Sequence, residues 1–173
     1  MISRKIARTL FILCLIIMNI GCDQVTKSIV RKKLVPYSTI NLLNNHLTIT
    51  KIENTGAFLS AGNSLSGPLR FIILSLLPLG AMILGVIYIF SKPDLSPVTI
   101  TGICFIIGGG IGNIFDRIVH GSVTDFLHIR LGGLQTGIFN MADVSIMTGT
   151  ALIILYPLLK KKNQMKMDES SQG

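Results

Sequence analysis

Charge is what this sequence has least of. Only 14% of its 173 residues are Asp, Glu, Lys or Arg, where a soluble domain carries about 25%. A water-soluble globule of this length would lack the polar surface to cover itself. Disorder is excluded as well, because 49% of the residues are hydrophobic and a disordered chain is apolar-poor and charge-rich. The 3 cysteines, Cys14, Cys22 and Cys104, lie inside or at the edge of apolar stretches, where a thiol behaves as a small hydrophobe, and no disulfide is expected. There is no CxxC pair, no Cys/His spacing of the zinc kind and no HExxH. There is no GxSxG, and no GK[ST] follows the glycines at 108, 109, 110 and 112, so these glycines read as helix-packing positions and not as a phosphate loop. No metal and no cofactor is expected. The formal net charge of +8 does not point to nucleic acid either, since its basic residues sit at the ends of apolar runs and not in patches on a polar face.

What is present is a set of long apolar runs. A membrane helix needs about 20 predominantly apolar residues to cross about 30 Å of hydrocarbon, and four runs qualify: about 7–28, 69–90, 97–115 and 141–159. The last three are bounded by Ser91-Lys92-Pro93-Asp94, Asp116-Arg117 and Lys160-Lys161-Lys162. Mean hydropathy of +0.63 agrees. Basic residues accumulate on the cytoplasmic side in short loops and near span ends. Arg4, Lys5, Arg8, Lys92, Lys160, Lys161, Lys162 and Lys166 make 8 of the 16 basic residues and occupy three short segments, which places both termini in the cytoplasm. The Arg31-Lys32-Lys33 cluster falls on the opposite side and runs against the rule. The two outer loops, about 29–68 and 117–138, carry strand-like patterns at Leu47–Ile52 and Phe126–Leu131, the second running into Gly132-Gly133. The expected fold is an all-α membrane protein with four transmembrane helices and a small extracytoplasmic β-sheet formed by the two outer loops. It is a single integral membrane domain over 1–173, with a cytoplasmic tail at 160–173. No internal or inverted repeat of the transporter kind is seen.

The few acids are the informative residues, because an ionisable group at membrane depth is costly unless paired, hydrated or useful. Asp94, Asp168 and Glu169 lie in cytoplasmic segments. Asp23, Glu53, Asp116, Asp125 and Asp143, five of the eight, gather toward the outer surface. Asp143 sits just inside the fourth span, and Asp125 precedes apolar Phe126-Leu127 and can return to the same depth. Two carboxylates held close share a proton, one acting as base toward a water and the other as acid toward a carbonyl. Such a pair hydrolyses peptides without a metal or a nucleophilic side chain. Structural readings stand beside this one. Asp143 suits a helix cap, Asp116 beside Arg117 suits an ion pair, and Asp23 with Lys27 is an i,i+4 pair on one helix face. His46, His120 and His128 are expected to face solvent or the interface. Spacing alone leaves open which two of Asp116, Asp125 and Asp143 form the pair.

Four segments resemble the lipoprotein signal peptidases (signal peptidase II), bacterial membrane aspartyl peptidases: Asp23-Gln24-Val25-Thr26-Lys27; Asn54-Thr55-Gly56-Ala57-Phe58; Gly109 through Arg117, continuing Gly121-Ser122-Val123-Thr124-Asp125-Phe126; and Phe139-Asn140-Met141-Ala142-Asp143. The resemblance implies that Asp125 and Asp143 are the catalytic dyad. It implies that Asn54, Gly56, Asn113, Asp116, Arg117 and Asn140 line or brace the site, with Asp23 and Lys27 supporting it from the first span. It further implies cleavage of the signal peptide from diacylglyceryl-cysteine-modified prolipoproteins, with membrane lipids and these substrates as partners, no nucleic acid and a monomeric enzyme. The location implied is the bacterial cytoplasmic (inner) membrane, multi-pass, with the active site at the outer, periplasmic face. A single Ala precedes Phe58 where many members have two small residues, which bears on the placement of Phe58 and Leu59. Asn113 and Asp116 share a helix face, so the Asn113 amide is expected to donate to a carboxylate near the dyad, as is Asn140.

Other readings make different predictions. A small membrane transporter or channel would carry acids near the bilayer midplane on several helices, and here they sit at one surface. The N-terminal basic residues, apolar run and Gly21-Cys22 mimic a lipoprotein signal, but Asn19 fits poorly three residues before the Cys and three further spans follow. A catalytically dead scaffold of the same fold would not be expected to retain both Asp125 and Asp143.

Overall fold

Residues Arg4–Lys33 form the first helix, α1, in a computed structural model that describes residues 3–56 and 66–171. Its start is set by Ser3, whose Oγ accepts the Ile6 N–H at 3.4 Å, the usual role of a hydroxyl at an N-cap. Arg31, Lys32 and Lys33 in its last turn suit the negative end of the helix dipole. The helix stops at Leu34 because Val35 precedes Pro36, and a residue before proline avoids the helical region. The helix therefore extends past both ends of the 7–28 run.

The second apolar helix, α2, covers Gly67–Ser91 and contains a π-helical turn at Ile72–Leu76. Pro78 accounts for the turn: it has no N–H to give to the carbonyl four residues back, and the ladder widens ahead of it. The third helix, α3, covers Pro97–His120. Ser96 caps it, with Pro97 in the first helical position, and Gly121 ends it in the left-handed region at φ 77°, which a Cβ would disfavour. Because α3 runs to His120, Asp116 and Arg117 lie inside the helix and do not bound it, as the 97–115 run had suggested. The last helix, α4, covers Met141–Ser171, passing through the lysines that bounded the apolar run.

Among the described residues, four antiparallel strands follow from the two loops: β1 Thr39–Leu42, β2 Leu47–Asn54, β3 Val123–Leu131 and β4 Leu134–Gln135, in the order β1-β2-β3-β4. Register pairs Ile40 with Ile49, Leu42 with Leu47, and Ile49 with Leu127, so one face is apolar. Thr39, Thr50, Asn41, Thr48 and His128 share the other. A one-residue irregularity between Ile49 and Ile52 re-aims the end of β2, as bulges do, and brings Asn54 opposite Val123, diagonal to Asp125.

Helix α3 is central: 56% of its apolar stretch is buried within the protein, against 11–17% for the other three helices. Ile12, Ile89, Ile100, Cys104 and Ile107 make the core. Leu10, Ile17, Met18, Leu84 and Leu158 are all more than half exposed, an apolar belt that water would not tolerate and lipid does. All three cysteines are free, Cys104 buried and the other two exposed. At the far end from the sheet, the Arg8 guanidinium donates to the carbonyls of Ile89 (2.8 Å) and Lys92 (2.7 Å) and closes the C-terminal end of α2.

Helices α3 and α4 meet backbone to backbone where Gly102 and Gly149 cross. A Cβ on Gly149 would strike the Gly102 carbonyl oxygen, and a Cβ on Gly102 would lie 2.8 Å from Ile153. Gly149→Val is therefore expected to destabilise the protein by about 1–3 kcal/mol through overpacking, read as a lowered melting temperature in detergent. Gly21→Ala, where a Cβ meets nothing within 4 Å, is the matched variant expected to melt as the parent does.

Candidate active site

Asp23, Lys27 and Arg31 are spaced i, i+4, i+8 and share one face of α1. That face meets α3 at Gly112, where a Cβ would be 2.5 Å from Asp23 Oδ2; glycine is what lets the carboxylate in. Asp23, Lys27 and Asp116 are fully buried. Lys27 Nζ lies 2.8 Å from Asp23 Oδ2 and 3.2 Å from Asp116 Oδ2, and Arg31 Nη2 lies 2.6 Å from the same Asp116 oxygen. Gln24 Nε2 donates to Asp23 Oδ2 and Asp116 Oδ1, both at 3.1 Å. Two cations thus face two carboxylates, the arrangement that buried charge requires.

The cluster reaches outward in three directions. Asp23 Oδ1 accepts the Ala142 N–H at 2.9 Å, fixing the first turn of α4. Asp116 Oδ2 accepts the Thr124 N–H at 3.3 Å, fixing β3 one residue from Asp125. Lys27 Nζ donates to Asn113 Oδ1 at 2.9 Å, and Asn140 Nδ2 donates to the same oxygen at 3.1 Å. With Oδ1 so occupied, Asn113 can present only its NH₂, which donates to Asp143 Oδ1 at 2.9 Å.

Asn140 is the N-cap of α4. Its Oδ1 accepts the Asp143 N–H at 3.0 Å while Asp143 Oδ2 accepts the Asn140 N–H at 3.1 Å, a capping box built from Asn and Asp. The Asn140 amide also donates to Asp125 Oδ1 at 2.6 Å. One side chain therefore touches both carboxyl-bearing segments. On the far side Asn54 Nδ2 donates to Asp125 Oδ2 at 2.9 Å, and its Oδ1 accepts the Gly56 N–H at 2.9 Å. Arg117 Nη2 donates to the Gly56 carbonyl at 2.9 Å and Nη1 to that of Asn113 at 3.3 Å, tying this turn to α3.

Asn54, Asn113, Arg117, Val123, Asp125, Ile138, Asn140 and Asp143 line a cavity of about 20 Å³, room for one water. Burial pushes the Asp125 carboxyl up to about 6; the Asn54 hydrogen bond opposes this, the nearby Asp143 charge adds to it, and Asn140 and the more distant Lys27 oppose it. Asp143 sits at the positive end of a helix dipole, which favours an anion. The two carboxyls thus occupy unlike environments, as acid and base pairs do.

Of the ten residues singled out from the sequence, Asn54, Asn113, Arg117, Asn140, Asp125 and Asp143 share this cavity, Gly56 forms the turn that holds Asn54, and Asp23, Lys27 and Asp116 form the layer behind. The Asp23–Lys27 pair is as its spacing suggested. An Asp116–Arg117 pair is not what forms: on a helix, neighbouring residues point apart, so Asp116 turns to Lys27 and Arg31 and Arg117 to the Gly56 turn. Gln24, Arg31 and Thr124 were not singled out; Arg31's i+4 step from Lys27 was the available signal. His46 Nδ1 lies 2.9 Å from the Arg130 carbonyl and Arg130 Nε donates to His128 at 3.2 Å. No three His, Cys, Asp or Glu side chains converge among the described residues. Ala57, Phe58 and Leu59 lie outside the described residues.

Among the described residues, four membrane-capable helices carry a buried polar site beside a small sheet, the architecture of a polytopic membrane protein. Two solved structures described as a bacterial membrane enzyme, obtained by the in meso method, superpose with TM-scores of 0.77 and 0.75. They are 28% and 30% identical, covering 88% and 86% of this chain and 90% and 92% of theirs. The family model for signal peptidase (SPase) II matches residues 15–159. The lipoprotein signal peptidase of Clostridioides difficile (strain 630) is 36% identical over 144 residues, 83% of this chain and 92% of the relative. That of Bacillus subtilis (strain 168) is 33% identical over 150 residues, 84% and 94%. The chain belongs to the signal peptidase II family: it is a bacterial membrane protease of the kind that removes prolipoprotein signal peptides.

Removing the central cation tests the layer behind the cavity. Lys27→Met leaves two buried carboxylates short of a partner and is expected to cost about 3–5 kcal/mol, measured as a fall in the detergent melting temperature of the full chain. An unchanged melting temperature would mean that the cluster is not what holds α1 to α3.

Proposed function

We propose that the protein is an aspartyl endopeptidase that cleaves the signal peptide from diacylglyceryl-cysteine-modified prolipoproteins, with Asp125 and Asp143 as the catalytic dyad. The observation that carries this reading is the joining of the two carboxyls through Asn140 around a cavity sized for one water. Asp125, buried and pushed up to about 6, holds the shared proton. Asp143, at the N-terminus of α4, acts as the base and accepts a proton from the water. The water oxygen attacks the scissile carbonyl carbon while Asp125 protonates its oxygen. Collapse of the tetrahedral species breaks the C–N bond, the amine leaves with the proton held by Asp143, and Asp125 recovers its own from the hydroxyl. Asn54, Asn113 and Asn140 hold the carboxyls, with Gly56, Arg117, Asp116, Asp23 and Lys27 supporting them.

The basic residues at 4, 5, 8, 92 and 160–162 favour both termini in the cytoplasm, which puts the sheet and the dyad at the outer face of the bacterial inner membrane. Residues 1–173 act as one integral membrane domain, as a monomer, without cofactor. The substrate's acyl chains remain in lipid while the scissile bond is presented at interface depth.

Asp125→Asn and Asp143→Asn are each expected to abolish cleavage of a lipidated prolipoprotein while the melting temperature is kept; full turnover in either variant would sink the dyad. The pH dependence has a definite sign. The singly protonated dyad is populated below about pH 6 and lost above it, so kcat/KM is expected to fall as pH rises through about 6. Asn54→Ala removes a hydrogen bond that favours the ionised Asp125, so its falling limb is expected at higher pH. A limb displaced to lower pH would contradict the assignment.

A further inference from the structure

Of the five acids that the sequence gathers near the span ends and in the two loops, Asp23, Asp116, Asp125 and Asp143 have been placed, and Glu53 has not. It lies near the end of β2 and is exposed, yet both its carboxylate oxygens are taken by hydroxyls of the neighbouring segment. Ser122 Oγ donates to Glu53 Oε2 at 2.7 Å and Thr124 Oγ1 donates to Glu53 Oε1 at 3.0 Å. Thr124 is fully buried and Ser122 is 9% exposed. The Thr124 oxygen also accepts the Arg31 Nε–H at 2.7 Å, so its single proton is committed to Glu53. Hydrogen bonds to a carboxylate are about twice as strong as neutral ones. A surface glutamate is thus held against the two hydroxyls that flank the entry to Asp125.

The strand register shows what such a clamp decides. Strands β2 and β3 pair Ile49 with Leu127, then shift by one residue, so that Ile52 meets Asp125, Glu53 meets Thr124 and Asn54 meets Val123. Continued without the shift, the Ile49 register would set Glu53 opposite Val123 and Asn54 opposite Ser122. Side chains alternate between the two faces of a strand, and a slip of one residue moves each to the other face of its partner. In the unshifted register Asn54 would share a face with Ser122 and Thr124 and lose Asp125, while the Glu53 carboxylate would come beside Asp125. In the observed register Glu53 shares the face of Ser122 and Thr124 and accepts from both. Asn54, on the opposite face, donates to Asp125 at 2.9 Å.

We propose that Glu53 is a positioning residue for Asp125: by accepting from Ser122 and Thr124 it selects the shifted register, in which Asn54 and Asp125 meet. For its catalytic consequence the inference rests on the endopeptidase reading. Glu53 acts through the strand, from the sheet face away from Asp125, so its loss disturbs the placement of the carboxyl and not the binding of substrate.

The test separates reach from charge in the full-length protein in detergent. Glu53→Gln keeps the length and an acceptor oxygen but loses the charge; Glu53→Asp keeps the charge and is one methylene short of the two hydroxyls. With a lipidated prolipoprotein, Glu53→Asp and Glu53→Ala are expected to lower kcat by about 10- to 100-fold at unchanged KM, the scale on which misplacing a catalytic group acts. Glu53→Gln is expected to keep most of the parent's kcat. Ser122→Ala is expected to lower kcat less than Glu53→Ala and, combined with it, to lower kcat no further, as for residues acting through one contact. Retention of kcat in Glu53→Asp with loss in Glu53→Gln overturns the proposal, as does a raised KM with kcat intact, or full additivity with Ser122→Ala. Amide hydrogen exchange, read by mass spectrometry on peptides covering residues 122–126, needs no turnover. Faster exchange is expected in Glu53→Asp and Glu53→Ala than in the parent and Glu53→Gln, and equal rates in all four overturn the clamp. That same exchange pattern in a protein that cleaves nothing would leave the register clamp in place and remove the endopeptidase reading instead.

Discussion

Lys27 is a fully buried cation, and the fold is arranged so that its charge is met. A lone buried ammonium costs many kcal/mol, so Asp23 and Asp116 must stand within reach, at 2.8 and 3.2 Å. Each of those carboxylates then has oxygens left to satisfy. Asp23 takes a backbone N–H from α4 and Asp116 takes one from β3. Meeting one charge in the middle of the bundle thus fixes the two segments that carry Asp143 and Asp125. Gly112 is the condition for it, since a side chain there would exclude the Asp23 carboxylate.

The same cation sets the direction of the amides at the site. Asn113 and Asn140 could each present oxygen or NH₂ to a neighbour. Lys27 on Asn113 Oδ1 removes that freedom, and the Asp143 N–H on Asn140 Oδ1 does so for the second amide. Both NH₂ groups consequently point at carboxyls. A site of this kind is preorganised by donors already aimed where charge will sit, and it is built from helix and strand termini whose backbones are themselves held by the charge cluster.

Much of this was legible in the amino-acid sequence and some was not. The four apolar runs, the two strand patterns and the gathering of acids at one end follow from period and composition, and the helices observed contain those runs. Helix ends were less legible because caps and prolines decide them: Gly121 extends α3 past Asp116, and Val35-Pro36 lets α1 run to Lys33. That shift changed the reading of Asp116, which as a loop residue would meet Arg117 and as a helix residue meets α1. Asn140 illustrates the remaining gap. Its motif marked it, but that one side chain would cap a helix and touch Asp125 at once depends on β3 and the start of α4 being held side by side by the Asp116 and Asp23 carboxylates, a long-range arrangement that no local pattern announces.

The central claim is that the pair of carboxyls carries one proton in the working enzyme, held on Asp125. Infrared difference spectroscopy of the full-length protein reads this directly, by titrating the protonated-carboxyl absorption of the parent against that of Asp125→Asn. The account predicts a carboxyl band in the parent that disappears as pH rises through about 6 and is missing from Asp125→Asn. A parent with no such band below pH 6, or a band that persists unchanged in Asp125→Asn, would contradict it.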